Sequence, residues 1–385
     1  MSKSPLVVSS ASTVRFNVDQ VEEILSYLDE HGYAVIGNVA NDADIVKGKD
    51  NFWNFWEKEK YRGELKRDDI NTWNNWMANA ATGILVSARG ANHNDFLWGA
   101  RTLPCVKKVF SKIWNDNDLI VSFDAGGVFR PWEHNIHWLT NGGWWHTDQN
   151  STKGPHRQGR VTVQGLVTYY DATADTGGLC VIPGSHKQHD AVCQRAPTAN
   201  MKIDFVSVER TDPVLSSAEP ILVCAKAGDL ILWDSRTIHC NTPALHMADY
   251  HESLLEPNST EHLKHRPRIS TSTNGESAEL LRLVAYVCMV PRSHASAEII
   301  ERRKQTFVHK MPTSHYPTYE VSLLPKEKAL PWTKSTDILK LVGYSSEEIS
   351  RIKEGLDPEA RQEQPNLMLL VRVATFLGVM YILFF

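Results

Sequence analysis

Three side chains in this sequence combine metal-binding types with a spacing that could bring them to one ion. Residues 144–150 read TrpTrpHisThrAspGlnAsn, and His239 closes the run GlyAspLeuIleLeuTrpAspSerArgThrIleHis, 93 residues after His146. On an extended segment, residues i and i+2 point to the same side, so the His146 imidazole and the Asp148 carboxylate can reach one metal together. A third ligand has to come from elsewhere in the chain. Two neutral imidazoles and one carboxylate on one face of an ion leave three positions open, which suits Fe(II) chemistry in which O₂ and a bidentate co-reactant must both bind. A bare His-x-Asp arises often by chance, so its surroundings must carry the reading.

The elements that would position these residues are legible in outline. An amphipathic helix spans about 19–31, with Val21, Ile24, Leu25 and Leu28 on one face and Gly32 as its stop, and a strand follows at 33–36. Residues 51–115 are helical in tone and Trp-rich; ten of the twelve tryptophans precede residue 146, and most are expected in the core. From 118 onward short apolar runs at 119–123, 161–170, 179–182, 221–224, 230–233 and 283–290 alternate with turns such as ThrGlyGly at 176–178, ProGlySer at 183–185 and AlaGlyAsp at 227–229. Many short strands of this kind predict a β-sandwich or barrel with helices packed outside it. The polar stretch 241–281 reads as a long surface insertion. Its His246, His251, His262 and His265 match no standard metal spacing and are expected to be solvated.

In this order, His-x-Asp, a strand containing Gln164, GlyGlyLeuCysValIleProGlySerHis at 177–186, GlyAspLeuIleLeuTrpAsp before His239, and an Arg opening a later strand, the sequence resembles the phytanoyl-CoA dioxygenase-like family of Fe(II)/2-oxoglutarate oxygenases. The resemblance covers roughly residues 20–345 and includes SerPheAspAlaGlyGlyValPheArgPro at 122–131. It implies an α+β, mainly β fold with a double-stranded β-helix (jelly-roll, cupin-like) core and flanking helices, and it implies His146, Asp148 and His239 as the iron ligands. The family also needs a cation for the distal carboxylate of 2-oxoglutarate, a task that suits the planar fork of a guanidinium. Arg282 is the first choice, with Arg236, Arg266 and Arg268 as rivals, because Arg282 lies 43 residues after His239 and the insertion must loop out between them. A surface salt bridge is the plainer alternative for Arg282.

Gln164, Leu166 and Thr168 share one face of their strand, the face that lines the pocket in the resembling fold; Gln164, and Thr147 through its hydroxyl, are expected to hydrogen-bond the cosubstrate. His186 reads as a turn residue, and the pair His134 and His137 as rim or structural residues. The resembling halogenases carry Ala or Gly in place of the carboxylate, so Asp148 implies hydroxylation or a related oxidation, coupled to decarboxylation of 2-oxoglutarate by O₂.

Composition sets the outer limits. The 385 residues carry 41 Lys plus Arg against 45 Asp plus Glu, a net charge of −4, with 42% hydrophobic residues, which fits a globular chain and excludes disorder for its bulk. No basic block is dense enough to track a phosphate backbone, so no nucleic-acid partner is expected. Six scattered cysteines and an N-terminus without signal-peptide character point to a reducing, cytosol-facing compartment.

The mean hydropathy of −0.33 hides one anomaly, the apolar run Asn366–Phe385. Twenty helical residues span about 30 Å. The twelve Leu, Ile, Phe and Val residues of this run contribute roughly −4 to −7 kcal/mol on an insertion scale, against about +3 for Arg372. The expected organisation is an oxygenase domain over 1–365, containing the insertion, and a tail at 366–385 that anchors the protein to an intracellular membrane with 354–365 as linker; a helix docked on the domain or on a dimer partner is the alternative. The leading expectation is a dioxygenase that oxidises a small, lipophilic organic molecule. The alternatives are an iron oxygenase or isomerase that does not use 2-oxoglutarate, and a non-catalytic, membrane-tethered binding protein on the same fold.

Overall fold

The computed structural model describes residues 13–59, 63–85, 90–196, 204–216, 218–247, 279–318, 335–354 and 356. Strand β1 (Arg15–Phe16) leads into helix α1 (Val21–His31), which buries Ile24 and Leu28 and stops at Gly32 as the sequence predicts. Gly32 is left-handed (φ 79°) and returns its N–H to Leu28 O. A side chain there would collide with Thr237 Oγ1 and His186 Nδ1, so both the backbone angle and the close approach of a later turn require glycine.

After β2 (Tyr33–Ile36) come α2 (Asp42–Lys58), opened by a capping box between Asn41 and Asp44, then α3 (Asp95–Thr102) and α4 (Pro104–Trp114). The helical tone of 51–115 thus belongs to its two ends. Between them lie 3-10 turns at Ile70–Asn74 and Ala91–His93, around tryptophans that pack on one another: Trp73 lies 5.2 Å from Trp53, 5.9 Å from Trp76 and 6.3 Å from Trp138, ring centre to ring centre.

The chain then builds two sheets. Strands β3 (Leu119–Val121), β4 (Gly126–Phe129), β6 (Val163–Thr168), β10 (Leu230–Asp234) and β12 (Arg282–Pro291) join β1 and β2 in a seven-stranded major sheet of order β1-β2-β10-β6-β12-β3, with β4 also paired to β12. Strands β5 (His146–Thr147), β7 (Gly178–Val181), β8 (Val206–Ser207), β9 (Ile221–Leu222) and β11 (His239–Thr242) form a minor sheet of order β8-β5-β11-β7-β9. All pairings are antiparallel except β1 with β2.

The period of two sorts the side chains into layers. Val35, Leu166, Ile231, Trp233 and Val284 of the major sheet meet Leu179 and Val181 of the minor sheet in one buried cluster. Their neighbours Ala34, Val167, Leu230, Leu232, Ala285 and Val287 face the other way, into the layer of α1 to α4. The major sheet is therefore covered on both faces, which explains why β10 reads as an unbroken apolar run. The architecture is the expected jelly roll with flanking helices, built as two facing sheets and not as a closed barrel.

Helix α5 (His189–Arg195) packs outside the minor sheet, and α6 (Ala297–Val308), α7 (Thr336–Val342) and α8 (Ser346–Lys353) follow the last strand. The sequence pattern does not announce these last three: α6 buries Arg303 and Lys304, so its inner face does not read as apolar. Of the expected insertion, residues 241–242 complete β11 and Leu245–Met247 form a 3-10 turn. Residues 248–278, with His251, His262, His265, Arg266 and Arg268, lie outside the described residues, as do 357–365 of the linker and the whole run 366–385. Among the described residues no helix is long and apolar enough to cross a membrane.

Candidate metal centre

The two sequence-distant parts of the motif meet because β5 and β11 pair, with His239 directly opposite His146. Their rings lie 4.2 Å apart, centre to centre. Asp148, two residues beyond His146, falls on the same face: its Oδ1 is 3.5 Å from His146 Nε2 and its Oδ2 is 3.1 Å from His239 Nε2. One ligand atom from each of the three lies within 4.8 Å of the others.

Both imidazoles are oriented by their own strands. His146 Nδ1 donates to Trp144 O at 3.0 Å and His239 Nδ1 to Thr237 O at 2.9 Å, which leaves each Nε2 lone pair for the centre. Burial, reinforced by His239, pushes the His146 pKa down to about 4, so this ring is neutral at pH 7. Burial opposes charge on Asp148, but the facing imidazoles outweigh it and hold the carboxyl well below the usual carboxylate range. A neutral imidazole and an ionised carboxylate are the states in which these groups bind a metal. Two ring nitrogens and a carboxylate oxygen at this separation fit a divalent first-row ion with an open face.

Around this core the expected cosubstrate residues separate. Gln164 stands on the inner face of β6, and its Nε2 donates to Asp148 Oδ2 at 2.8 Å, so it orients the ligand carboxylate. Thr147 points the opposite way: strand alternation that brings His146 and Asp148 inward sends its hydroxyl to Gln149 O at 3.1 Å. Arg282 begins β12 and is buried, not a surface ion pair. Its Nε donates to Thr176 O and its Nη2 to Asn241 Oδ1, both at 3.0 Å, and its guanidinium lies 3.6 Å over the Phe129 ring. Asn241 is two residues past His239 on β11, so Arg282 adjoins the ligand strand. Burial lowers its pKa to about 10, which leaves it cationic, and no carboxylate among the described residues pairs with it. A buried guanidinium in that state calls for an anionic ligand. Arg236, by contrast, is committed to Asp234 at 2.8 Å.

The remaining histidines stand apart. His186 is the expected turn residue, its Nε2 3.0 Å from Asp29 O. His134 stacks on Trp138, and His137 sits in a 3-10 turn; neither joins the triad. Sequence reasoning missed His315 and Tyr316, which both donate to Asp148 O, at 3.1 and 3.0 Å, while Asp148 N donates to Ser235 O at 3.0 Å. It also missed Phe205. The His146 ring lies nearly parallel to Trp144 (4.8 Å, 10°) and to Phe205 (4.6 Å, 22°), and Phe205 is 38% exposed at the rim. The preceding Asp204 ties this segment down through Arg157 at 2.8 Å and Lys153 at 3.0 Å. No local pattern signals such contacts, since each partner is remote in sequence.

Comparison with known proteins bears on the same region. The family model described as phytanoyl-CoA dioxygenase (PhyH) matches residues 28–243. A protein of Aspergillus versicolor, Ava biosynthesis cluster protein O, is 26% identical over 278 residues, covering 68% of this chain and 75% of that protein. A protein of Dictyostelium discoideum named for phytanoyl-CoA dioxygenase is 26% identical over 192 residues, covering 42% of this chain and 54% of its own length. Among solved structures, the epimerase SnoN in complex with Fe3+, alpha-ketoglutarate and nogalamycin RO is similar with a TM-score of 0.44 at 14% identity, over 71% of this chain and 84% of that one.

Proposed function

The chain belongs to the phytanoyl-CoA dioxygenase family of Fe(II)- and 2-oxoglutarate-dependent enzymes, and from that premise we propose that His146, Asp148 and His239 hold its iron while Arg282 holds the distal carboxylate of 2-oxoglutarate. The observation that carries this reading is the convergence of one ligand atom from each of the three residues within 4.8 Å. Bound there, iron with 2-oxoglutarate and O₂ supplies the oxidising power for hydroxylation, or a related oxidation, of a small organic molecule.

The chain's own contribution is position and field. His146 and His239 turn their Nε2 atoms to the centre because backbone carbonyls hold their Nδ1 protons. Gln164 fixes the Asp148 carboxylate from one side, and the Asp148 main chain is held by Ser235, His315 and Tyr316. Arg282 meets a carboxylate with a charge already stripped of water, where a charge-assisted bond is strongest. Phe205, Trp144 and Trp233 give the ligand side an aromatic wall, which supports a substrate with a lipophilic part.

We further propose that the apolar run 366–385 anchors the enzyme to an intracellular membrane, on the strength of its composition. Deleting it should release the protein from membranes and leave 2-oxoglutarate turnover intact.

The central reading is tested by adding Fe(II) and 2-oxoglutarate to the purified chain without oxygen. A visible metal-to-ligand charge-transfer band is expected, and is expected to vanish in His146→Ala. A folded chain that gives no band overturns the reading. Turnover insensitive to Arg282→Ala would instead indicate an iron enzyme that does not use 2-oxoglutarate.

A further inference from the structure

Arg282 alone makes an incomplete carboxylate site. Its Nε donates to Thr176 O at 3.0 Å, and its Nη2 donates to Asn241 Oδ1 at 3.0 Å and to Thr242 O at 3.4 Å. Among the described residues only Nη1 keeps its hydrogens unspent. A guanidinium grips a carboxylate best with two adjacent nitrogens, and both such forks of Arg282 include the committed Nη2. A carboxylate bound end-on to Nη1 therefore presents a second oxygen that needs another donor.

The same strand carries a donor that is aimed toward it. Tyr286 shares the inner face of β12 with Arg282 and stands opposite Leu166. Strands β3 and β4 pair with β12 in different registers, Val121 opposite Met289 and Gly126 opposite Ala285, so residues 122–125 bulge beside Tyr286, whose N–H donates to Ala125 O at 3.2 Å. The Tyr286 side chain leans along β12 toward Arg282. Its Oη ends 3.3 Å from the point where a Cβ on Gly127 would stand, and Gly127 is paired with Val284, midway between Tyr286 and Arg282. Phe129 Cε2 lies 3.1 Å from that same point, and the Arg282 guanidinium lies 3.6 Å over the Phe129 ring. Gly127 has no positive φ, so what it contributes is room for the phenol. Tyr286 Oη, Phe129 and the Arg282 guanidinium thus follow one another along the inner face.

The hydroxyl in that place is unspent. Among the described residues it has no hydrogen-bond partner, and it is not sealed from solvent, since Tyr286 is only half-buried. Burial, reinforced by Asp124, pushes its pKa up, so it remains a phenol with a proton to donate. We propose that Tyr286 donates this hydrogen to the distal carboxylate of 2-oxoglutarate and so completes, with Arg282 Nη1, a two-donor cradle set over Gly127. This deepens the iron and 2-oxoglutarate reading and rests on it.

The test titrates two acids into the full chain holding Fe(II) without oxygen and reads affinity from the charge-transfer band, with calorimetry as a second measure. One acid is 2-oxoglutarate; the other is 2-oxopentanoate, which carries a methyl group where 2-oxoglutarate carries the distal carboxylate. Tyr286→Phe removes one oxygen and is expected to weaken 2-oxoglutarate about tenfold or more, the worth of a hydrogen bond to a charged acceptor, and to leave 2-oxopentanoate within about twofold of wild type. Gly127→Ala, which crowds the hydroxyl, is expected to weaken 2-oxoglutarate selectively as well, and to add less than about twofold once Tyr286→Phe is present. A Tyr286→Phe chain that binds 2-oxoglutarate as the wild type does, or that loses both acids alike, overturns the proposal. If Tyr286→Phe fails to fold, the selectivity of Gly127→Ala between the two acids decides. A wild type that gives no band with either acid sinks the iron reading and this proposal with it, whereas a band whose midpoint ignores residue 286 sinks this proposal alone.

Discussion

The two facing sheets divide the work of the centre unequally. The minor sheet carries His146 and His239 and leads into Asp148, yet its strands are only two to four residues long. The major sheet has strands of six and ten residues in β6 and β12, is buried on both faces, and carries Gln164 and Arg282. A two-residue strand such as β5 has almost no ladder of its own, so its geometry depends on outside bonds: Asp148 to Ser235, His315 and Tyr316, and His146 to Trp144. Precision at the centre comes from these contacts, and stability comes from the two-sided burial of the longer strands.

The largest expected effect tests the minor sheet. Asp148→Ala removes one of the three proposed ligands, so turnover should fall on the order of a thousandfold or more, with metal lost by elemental analysis and the circular dichroism spectrum unchanged. An unfolded variant would mean that the ligand strand is as structural as the core. In the major sheet the pattern should invert. Leu232 is fully buried on β10 against the helix layer, and Leu232→Ala should cost about 2–5 kcal/mol in denaturant unfolding, with activity of the folded fraction within about twofold of wild type.

A pH titration probes how closed the minor sheet is without metal. The His146 pKa is pushed down to about 4 by burial, below its ordinary unfolded value of about 6.5. Between these values the unfolded chain binds a proton that the folded chain refuses. The contribution is fully present above about 6.5 and is lost as pH falls to 4, a change of about 3 kcal/mol. It is read as the difference in urea stability between wild type and His146→Gln; a flat difference would mean that water reaches β5. Smallest is the residue that links the sheets: Gln164→Ala should weaken metal affinity by about 10–100-fold in a competitive chelator titration, with little change in stability.

The convergence of His146, Asp148 and His239 was readable because strand geometry makes i and i+2 neighbours, and the strand that begins at Arg282 because an apolar run follows it. The same rule works against Thr147, which sequence adjacency favours and alternation turns away. The bulge at residues 122–125 was hidden for a different reason: it follows from a one-residue register difference between two strands sharing β12, a property of pairing that no local pattern encodes. His315 and Tyr316 act through side chains that reach a backbone carbonyl from a segment without periodicity. Helix α6 escapes notice because buried Arg303 and Lys304 interrupt its apolar face.

The indole of Trp144, parallel to the His146 ring at 4.8 Å, has an optical consequence. A paramagnetic ion held by His146 would sit one imidazole away from that indole, close enough to quench its emission. The protein thus carries its own lamp at the centre, dimmed by occupancy, and Trp144→Phe should remove the share of that dimming that falls on this indole while the other eleven tryptophans still emit. With it, loading and competition among ions can be followed before any substrate is in hand.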